Sequence, residues 1–516
     1  MLRGRQVHFG MPAQQPQQIR RETGMDIKVV RMIGMNPGSF AALAALALTA
    51  FSPTAFAAQG KSAASSAVAA RCVVRPTNYD GWKADEMSNR WVKLIFVPQL
   101  GGRLMQVSFN GHHYLFVNKQ LEGQLNPPDT EHHRWFNYGG DKIWPMPEGS
   151  QDEQHWAGAG GSLLDEGPFT LRVLSQGKEC AMRLTGPDDP QIGQQYIREV
   201  RIGTDSPVIS FHSVMKNVSG YPQTWSEQSV SQYNAAATGD ASQFNPKFWG
   251  VTPANPSSVF PGGYHVRTGD PNNPDYSVKD GLFRVQWNGH GGEVWTDSTA
   301  GWLAVVDGTT GYTMVERHAY DPRATYPGNT TMLFFTTGMR RRRAPVPDAA
   351  ATAQAAPTQG PAAAQPPRAP IYYMEAEVNS PMVELAPGES FAMETTWYPT
   401  RMGEEFSSAT YSGAVGTPIS AAAGAGGLTL TGDFGVFYPG TLVAHFYDRS
   451  GLALGTSRLM TVSPFDQVKL QTTLQAPPET FRVSVHLVEK SGVDRGPLGE
   501  AFVNPPPPAP ARHLSD

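Results

Sequence analysis

Cysteine is nearly missing from this chain: Cys72 and Cys180 are the only two among 516 residues. Two thiolates alone exclude a cysteine-built structural zinc site. In an oxidising compartment they allow one disulfide, and two buried free thiols are the open alternative. Charge is also sparse, at 17% of residues with a net of -4. No long basic patch with interleaved aromatics occurs, so nucleic-acid binding has no support, and Arg340 to Arg343 reads as a solvated linker. Amphipathic helical stretches are few, and no apolar run is long enough to span a bilayer, so the mature protein is expected to have no membrane span. Neither a GxSxG elbow nor a phosphate-binding glycine motif stands in a fitting context, which counts against hydrolase and nucleotide-dependent chemistry. Histidines 112, 113, 132, 133 and 155, with Asp129 and Glu131, show no recognised ligand spacing. No metal and no cofactor is expected.

What is present is a folded, turn-rich chain: 40% hydrophobic residues with 53 Gly and 44 Pro. Phe40 to Phe51 is an apolar run preceded by Lys28 and Arg31 and followed by Ala55-Phe56-Ala57. It has the three regions of a secretory signal. Cleavage near Ala57 makes the protein periplasmic or secreted. The expected organisation is an N-terminal extension and signal over 1–57, a large β domain over 71–403 interrupted by a disordered insertion at 339–370, a linker at 404–427, a small β-sandwich at 428–503 and a disordered tail at 504–516. The small sandwich is expected to dock a protein partner.

Three stretches carry the chemical signal. Phe136 to Glu148 (FNYGGDKIWPMPE) combines Asp141, Lys142 and Trp144 with glycines and prolines that oppose a continuous ladder, so it reads as an ordered functional loop. Acceptor, cation and flat apolar face together suit a sugar ring. In Ile371 to Val378, period two sets Tyr373, Glu375 and Glu377 on one face, and a carboxylate pair in a sheet interior raises both pKa values toward those of a general base. In Trp225 to Tyr233 the same period groups Trp225, Glu227, Ser229, Ser231 and Tyr233, and Arg317 ends a further strand. The plain alternative for each is a surface turn, a water-facing strand or a surface ion pair.

The segments Val97-Pro98-Gln99-Leu100-Gly101-Gly102-Arg103, the Asn110-Gly111 turn, Tyr138 to Pro145, and Leu385-Ala386-Pro387-Gly388-Glu389 before Trp397-Tyr398-Pro399 together resemble the DUF4380 family of galactose mutarotase-like proteins. The resemblance covers about 72–402 and implies an all-β supersandwich, two large antiparallel sheets with a carbohydrate site on a concave face. It places Glu375, in Met374-Glu375-Ala376-Glu377, where aldose 1-epimerases carry the base toward the anomeric hydroxyl. Those enzymes use a histidine acid from an Asn-His-x-Tyr-Phe strand. The similar stretch here, Trp225 to Asn234, has none, which leaves His132, His133 or Lys142 to supply the proton. The expectation is a carbohydrate-binding protein for a mono- or oligosaccharide, with Glu375 and Glu377 catalytic and Asp141, Lys142, Trp144, Trp225, Glu227 and Arg317 binding substrate. As an enzyme it would be a sugar isomerase. The alternatives are a uronate lyase, with Lys142 or Arg317 neutralising the carboxylate, and a non-catalytic interaction protein.

Overall fold

A computed structural model describes residues 71–149, 156–338 and 371–503. The expected signal, the 339–370 insertion, the 504–516 tail and His155 lie outside these residues. Within them, no helix is long and apolar enough to cross a membrane.

Strand follows strand because apolar and polar residues alternate along most segments. Ile209–Asn217 buries every second residue, and Gly440–Tyr447 does the same. Tight turns close the hairpins: Asn110 and Gly111 take φ of 49° and 80°, the left-handed pair that fits a two-residue connection. That turn joins Arg103–Phe109 to His112–His113 in the register Phe109↔His112.

The chain is all-β, built on two large sheets. The first runs from Val73–Tyr79 through Trp82–Ser88, Val92–Val97, Arg103–Phe109, Asp141–Met146, Gln223–Asn234, Tyr373–Asn379, Met332–Thr336 and Gly292–Thr296 to His265–Thr268. The second has Phe248–Pro253, Trp302–Asp307, Tyr312–His318, Ser390–Arg401, Ile209–Asn217 and Gln194–Gly203 at its centre. A continuous apolar layer between them includes Phe96, Val107, Phe211, Phe334, Met374 and Trp397. At one edge a Cys72–Cys180 disulfide ties the segment leading into the first sheet to Glu179–Thr185 of the second, with Cα atoms 5.8 Å apart.

Two four-stranded sheets follow and enclose their own core of Leu428, Leu430, Phe434, Leu442, Val485 and Leu487. Here the structure corrects the sequence reading: Gly413–Gly424, inside the expected linker, is a strand paired to Gly427–Val436. Its alanines and glycines supply little side-chain packing, but the ladder uses backbone groups, and the neighbouring Leu428 and Leu430 supply the apolar face. The junction is packed as well. Phe406, Ala414 and Phe437 share a buried cluster with Trp249, Trp302 and Tyr398 of the second large sheet.

The segment expected to be a loop is likewise a strand, Asp141–Met146, with every side chain buried. Pro145 is tolerated because its partner across the ladder, Glu227, bonds instead to Ser380 through both its backbone N–H and its C=O, each at 2.8 Å. Gly139 and Gly140 bend the chain into that strand at φ of 92° and 75°, and a Cβ at Gly139 would lie 2.1 Å from the Phe116 carbonyl oxygen.

Candidate functional site

Tyr373–Asn379 lies at mid-sheet, so its outward face is fixed by neighbours on both sides. Glu375 is opposite Gln232 on one flank and Phe335 on the other, and Glu377 is opposite Val230 and Leu333. Val230 is in turn opposite Lys142. Since partners across a ladder point to the same face, Glu375, Glu377, Gln232, Lys142 and Phe335 converge on the side of the first sheet away from the second. The next strand adds Glu293, opposite Phe335.

Lys142 Nζ lies 3.3 Å from Glu375 Oε1, and both side chains are almost wholly buried. Gln232 Nε2 donates to the same carboxylate oxygen at 2.8 Å. The ammonium also sits 4.5 Å from the Trp144 ring centre and 5.8 Å from that of Trp135. Both indoles are fixed from behind, because Trp135 and Trp144 donate their Nε1–H to Asp165, each at 2.8 Å. Arg103 holds Asp165 at 2.9 Å and donates to the Gly139 carbonyl at 2.7 Å. Asp165 is presented by a short turn of helix, Leu163–Glu166, whose cap is Ser162.

The electrostatics divide the acids. Burial, then the charges of Glu375 and Glu293, push Glu377 well above the ordinary carboxyl range, against the pull of Lys142. Glu148 reaches solvent but is pushed up to about 7 by surrounding protein and by Glu293 and Glu375, with Arg267 opposing. Glu293 is raised by burial, although Trp295 donates to it. Burial lowers Lys142, with Glu375 opposing that shift. One carboxylate, Glu375, is thus paired with a cation, while burial raises its neighbours Glu377 and Glu293. Around them stand Tyr373, whose hydroxyl accepts from Asn137 at 3.1 Å, and Arg267 lying 5.5 Å from the Trp295 ring centre.

Several predicted site residues lie elsewhere. Asp141 is next to Lys142 and therefore faces the opposite way, into the space between the large sheets, where it pairs with Arg198 and accepts from Ser231. Trp225 and Glu227 share that inner face: Trp225 packs with Tyr196 and Met215, and Glu227 lies beside Arg198 and Ser213 of the second sheet. Buried there, Glu227 is pushed up to about 8. They do not floor a cleft with Glu375. Arg317 belongs to the second sheet and donates to the Ala409 and Thr410 carbonyls at the junction with the small sandwich. Trp144 is present at the site as the platform for Lys142, not as an open stacking face.

The histidines considered as ligands are also scattered. His112 stacks on Tyr312, His113 contacts Ser108, and His132 pairs with Asp129 at 3.2 Å. Glu148, Gln232, Glu293 and the Asp165–Arg103 support were not singled out as site residues from sequence. For Glu293 the alternation Glu293, Val294, Trp295 was a usable signal. A cavity of about 450 Å³, lined by Phe116, Leu115, Asn234 and Tyr372, contains none of these acids. The chemistry lies with the acids, so the candidate site is placed there.

The chain matches no family model and no curated protein. Among solved structures it is similar to a TPR-domain containing protein from Parabacteroides distasonis, at 14% identity and TM-score 0.40 over 64% of this chain and 53% of that one. It thus spans about half of that protein's length. It is also similar to a galactose mutarotase-like protein from Clostridium acetobutylicum, at 9% identity and TM-score 0.40 over 64% and 99%. A galactose mutarotase related enzyme from Lactobacillus acidophilus gives 8% and 0.36 over 63% and 97%.

Proposed function

We propose that the face carrying Lys142, Glu375 and Glu377 binds a neutral sugar and interconverts its anomers, as an aldose 1-epimerase-like isomerase of the DUF4380 kind. The observation that carries this is the pairing of Glu375 with Lys142 and Gln232 beside Glu377, which burial and like charge push toward the protonated form. In the proposed reaction Glu375 takes the proton of the anomeric hydroxyl while Glu377 gives its proton to the ring oxygen. The bond between the anomeric carbon and that oxygen breaks to leave an open-chain aldehyde. Rotation about the adjacent carbon–carbon bond and reversal of both transfers close the other anomer and restore both acids. Phe335 and Trp295 flank the acids with apolar ring faces suited to sugar C–H groups. Glu377 takes the part that a histidine has in aldose 1-epimerases.

A uronate substrate is less well served. Glu148, Glu293, Glu375 and Glu377 surround a region whose cations are Lys142, already paired, and Arg267 at the rim. Near-complete burial of Lys142, Glu375 and Glu377 favours, as a second reading, recognition without turnover. The Cys72–Cys180 disulfide supports the proposal that the mature chain works in the periplasm or outside the cell. The small sandwich is proposed to dock a protein partner.

The test is anomer exchange of free aldoses followed by NMR, with ligand binding measured separately. Glu375→Gln should abolish exchange while retaining binding. Exchange undiminished in that variant would remove Glu375 from the mechanism, and binding without exchange in the unaltered chain would select the recognition reading.

A further inference from the structure

The outer face of the small sandwich carries a side-chain cluster unrelated to the sugar site. Gly440–Tyr447 and Arg482–Glu489 are paired with His445 opposite Ser484 and Val443 opposite His486. Core residues such as Ala444, Val485 and Leu487 point inward, so His445 and His486 project outward as diagonal neighbours. Their rings are stacked, with centres 4.2 Å apart and planes 21° apart. The following strand, Asp494–Phe502, brings Asp494 alongside, with Oδ2 2.8 Å from His486 Nδ1. Ligand atoms of all three residues lie within 4.8 Å of one another, the only such group of three among the described residues.

We infer that His445, His486 and Asp494 bind one divalent transition-metal ion of the zinc class. Imidazole and carboxylate together suit zinc, copper or nickel rather than calcium or magnesium, which take oxygen ligands in larger number. Three protein ligands leave a fourth position for water or for a group from a partner. Bonds of about 2.0–2.1 Å require the ligand atoms to draw somewhat closer than they stand. The two stacked imidazoles must turn to bring their nitrogens to one ion, on Cα atoms held by adjacent strands. The nearby cations do not neutralise Asp494: Arg495 is held by Glu489 at 2.6 Å and Arg482 by Glu500 at 2.5 Å. The sequence expectation of no metal was drawn from the histidines of the large domain. The cluster here joins residues of separate strands and has no short spacing to reveal it.

The experiment is calorimetric titration of the untagged full chain, stripped of metal by a chelator, with zinc chloride. One equivalent should bind. His445→Ala, His486→Ala and Asp494→Asn should each weaken binding at least ~10-fold, the loss that removing even an outer partner of a metal ligand produces. Calcium in excess should not compete. His132→Ala, at the unrelated His132–Asp129 pair, should bind zinc as the unaltered chain does. Absence of binding in the unaltered chain would overturn the inference, and so would affinity unchanged by any one of the three ligand substitutions. Far-ultraviolet circular dichroism of each variant verifies that the sandwich is folded. If an alanine variant is not, His445→Gln or His486→Gln replaces it in the same comparison. Sugar exchange is not read in this experiment, so its outcome is independent of the proposed function.

Discussion

Replacing Lys142 by methionine separates a buried ion pair from a surface contact. The substitution keeps the length and much of the apolar stem that lies against Trp144, and removes only the charge. Both partners of the Lys142–Glu375 pair are buried, with side-chain exposures of 0% and 7%. Breaking a buried pair by deleting one partner costs about 3–5 kcal/mol, because the other charge is stranded, whereas an exposed pair costs about 0–1 kcal/mol. Gln232 still donates to Glu375, which places the expected loss toward the lower end, about 3 kcal/mol at neutral pH. Lys142→Met combined with Glu375→Gln should recover most of the stability, since no buried charge is then left alone. Urea unfolding followed by tryptophan fluorescence is the assay, as Trp135 and Trp144 both adjoin the ammonium. A loss below about 1 kcal/mol, not recovered in the double variant, would refute the buried-pair description.

Two further outcomes follow from groups away from the site. Glu227 and Glu316, buried between the large sheets, are each pushed up to about 8 from an ordinary value near 4.5. Above the ordinary value the unfolded chain releases those protons while the fold retains them. Stability fully present below about 4.5 should therefore be lost as pH rises toward 8, by an amount on the order of a few kcal/mol. Urea midpoints at pH 5 and pH 8 measure this, and Glu227→Gln should flatten the profile; an unchanged slope would mean Glu227 is ionised in the fold. The Cys72–Cys180 bridge closes a separation of 108 residues, so Cys72→Ser with Cys180→Ser should destabilise the chain by about 2–4 kcal/mol in the same assay. A change within error would show that the sheet edge holds without it.

The alternation that makes strands was legible throughout, and so was the face shared by Tyr373, Glu375 and Glu377, because period two depends only on local order. What the sequence could not supply was which neighbouring face looks the same way. Trp225 and Glu227 form a convincing polar wall in their own strand, yet the register Gln232↔Glu375 sends that wall into the inter-sheet core. A shift by one residue would have reversed the assignment, and such a register is set by contacts far apart in the chain. Glycine and proline misled in two places for one reason. They weaken a strand's own preference, but Asp141–Met146 and Gly413–Gly424 are each held by a strong partner strand. Glu293 and Glu148 join the site from strands and turns distant in sequence, so composition near Glu375 could not announce them.

Adjacent residues Asp141 and Lys142 show why the site is rigid. Asp141 turns inward and, through Arg198, ties its strand to the second sheet, and Arg198 in turn lies 4.3 Å from the Phe211 ring centre. Lys142 turns outward and meets three supports that come from different parts of the chain: Glu375 steadied by Gln232, Trp144 steadied by Asp165, and the preceding turn steadied by Arg103 on the Gly139 carbonyl. None of these supports is a long exposed loop. A carboxylate held in this way has little freedom to reorient, so on the proposed function selectivity among aldoses would come from the rim, where Glu148, Glu293, Arg267 and Trp295 stand. In the proposed reaction the two parts of the face would have separate tasks: the buried strands would fix the proton-transfer groups, and the partly exposed rim would decide which ring is admitted.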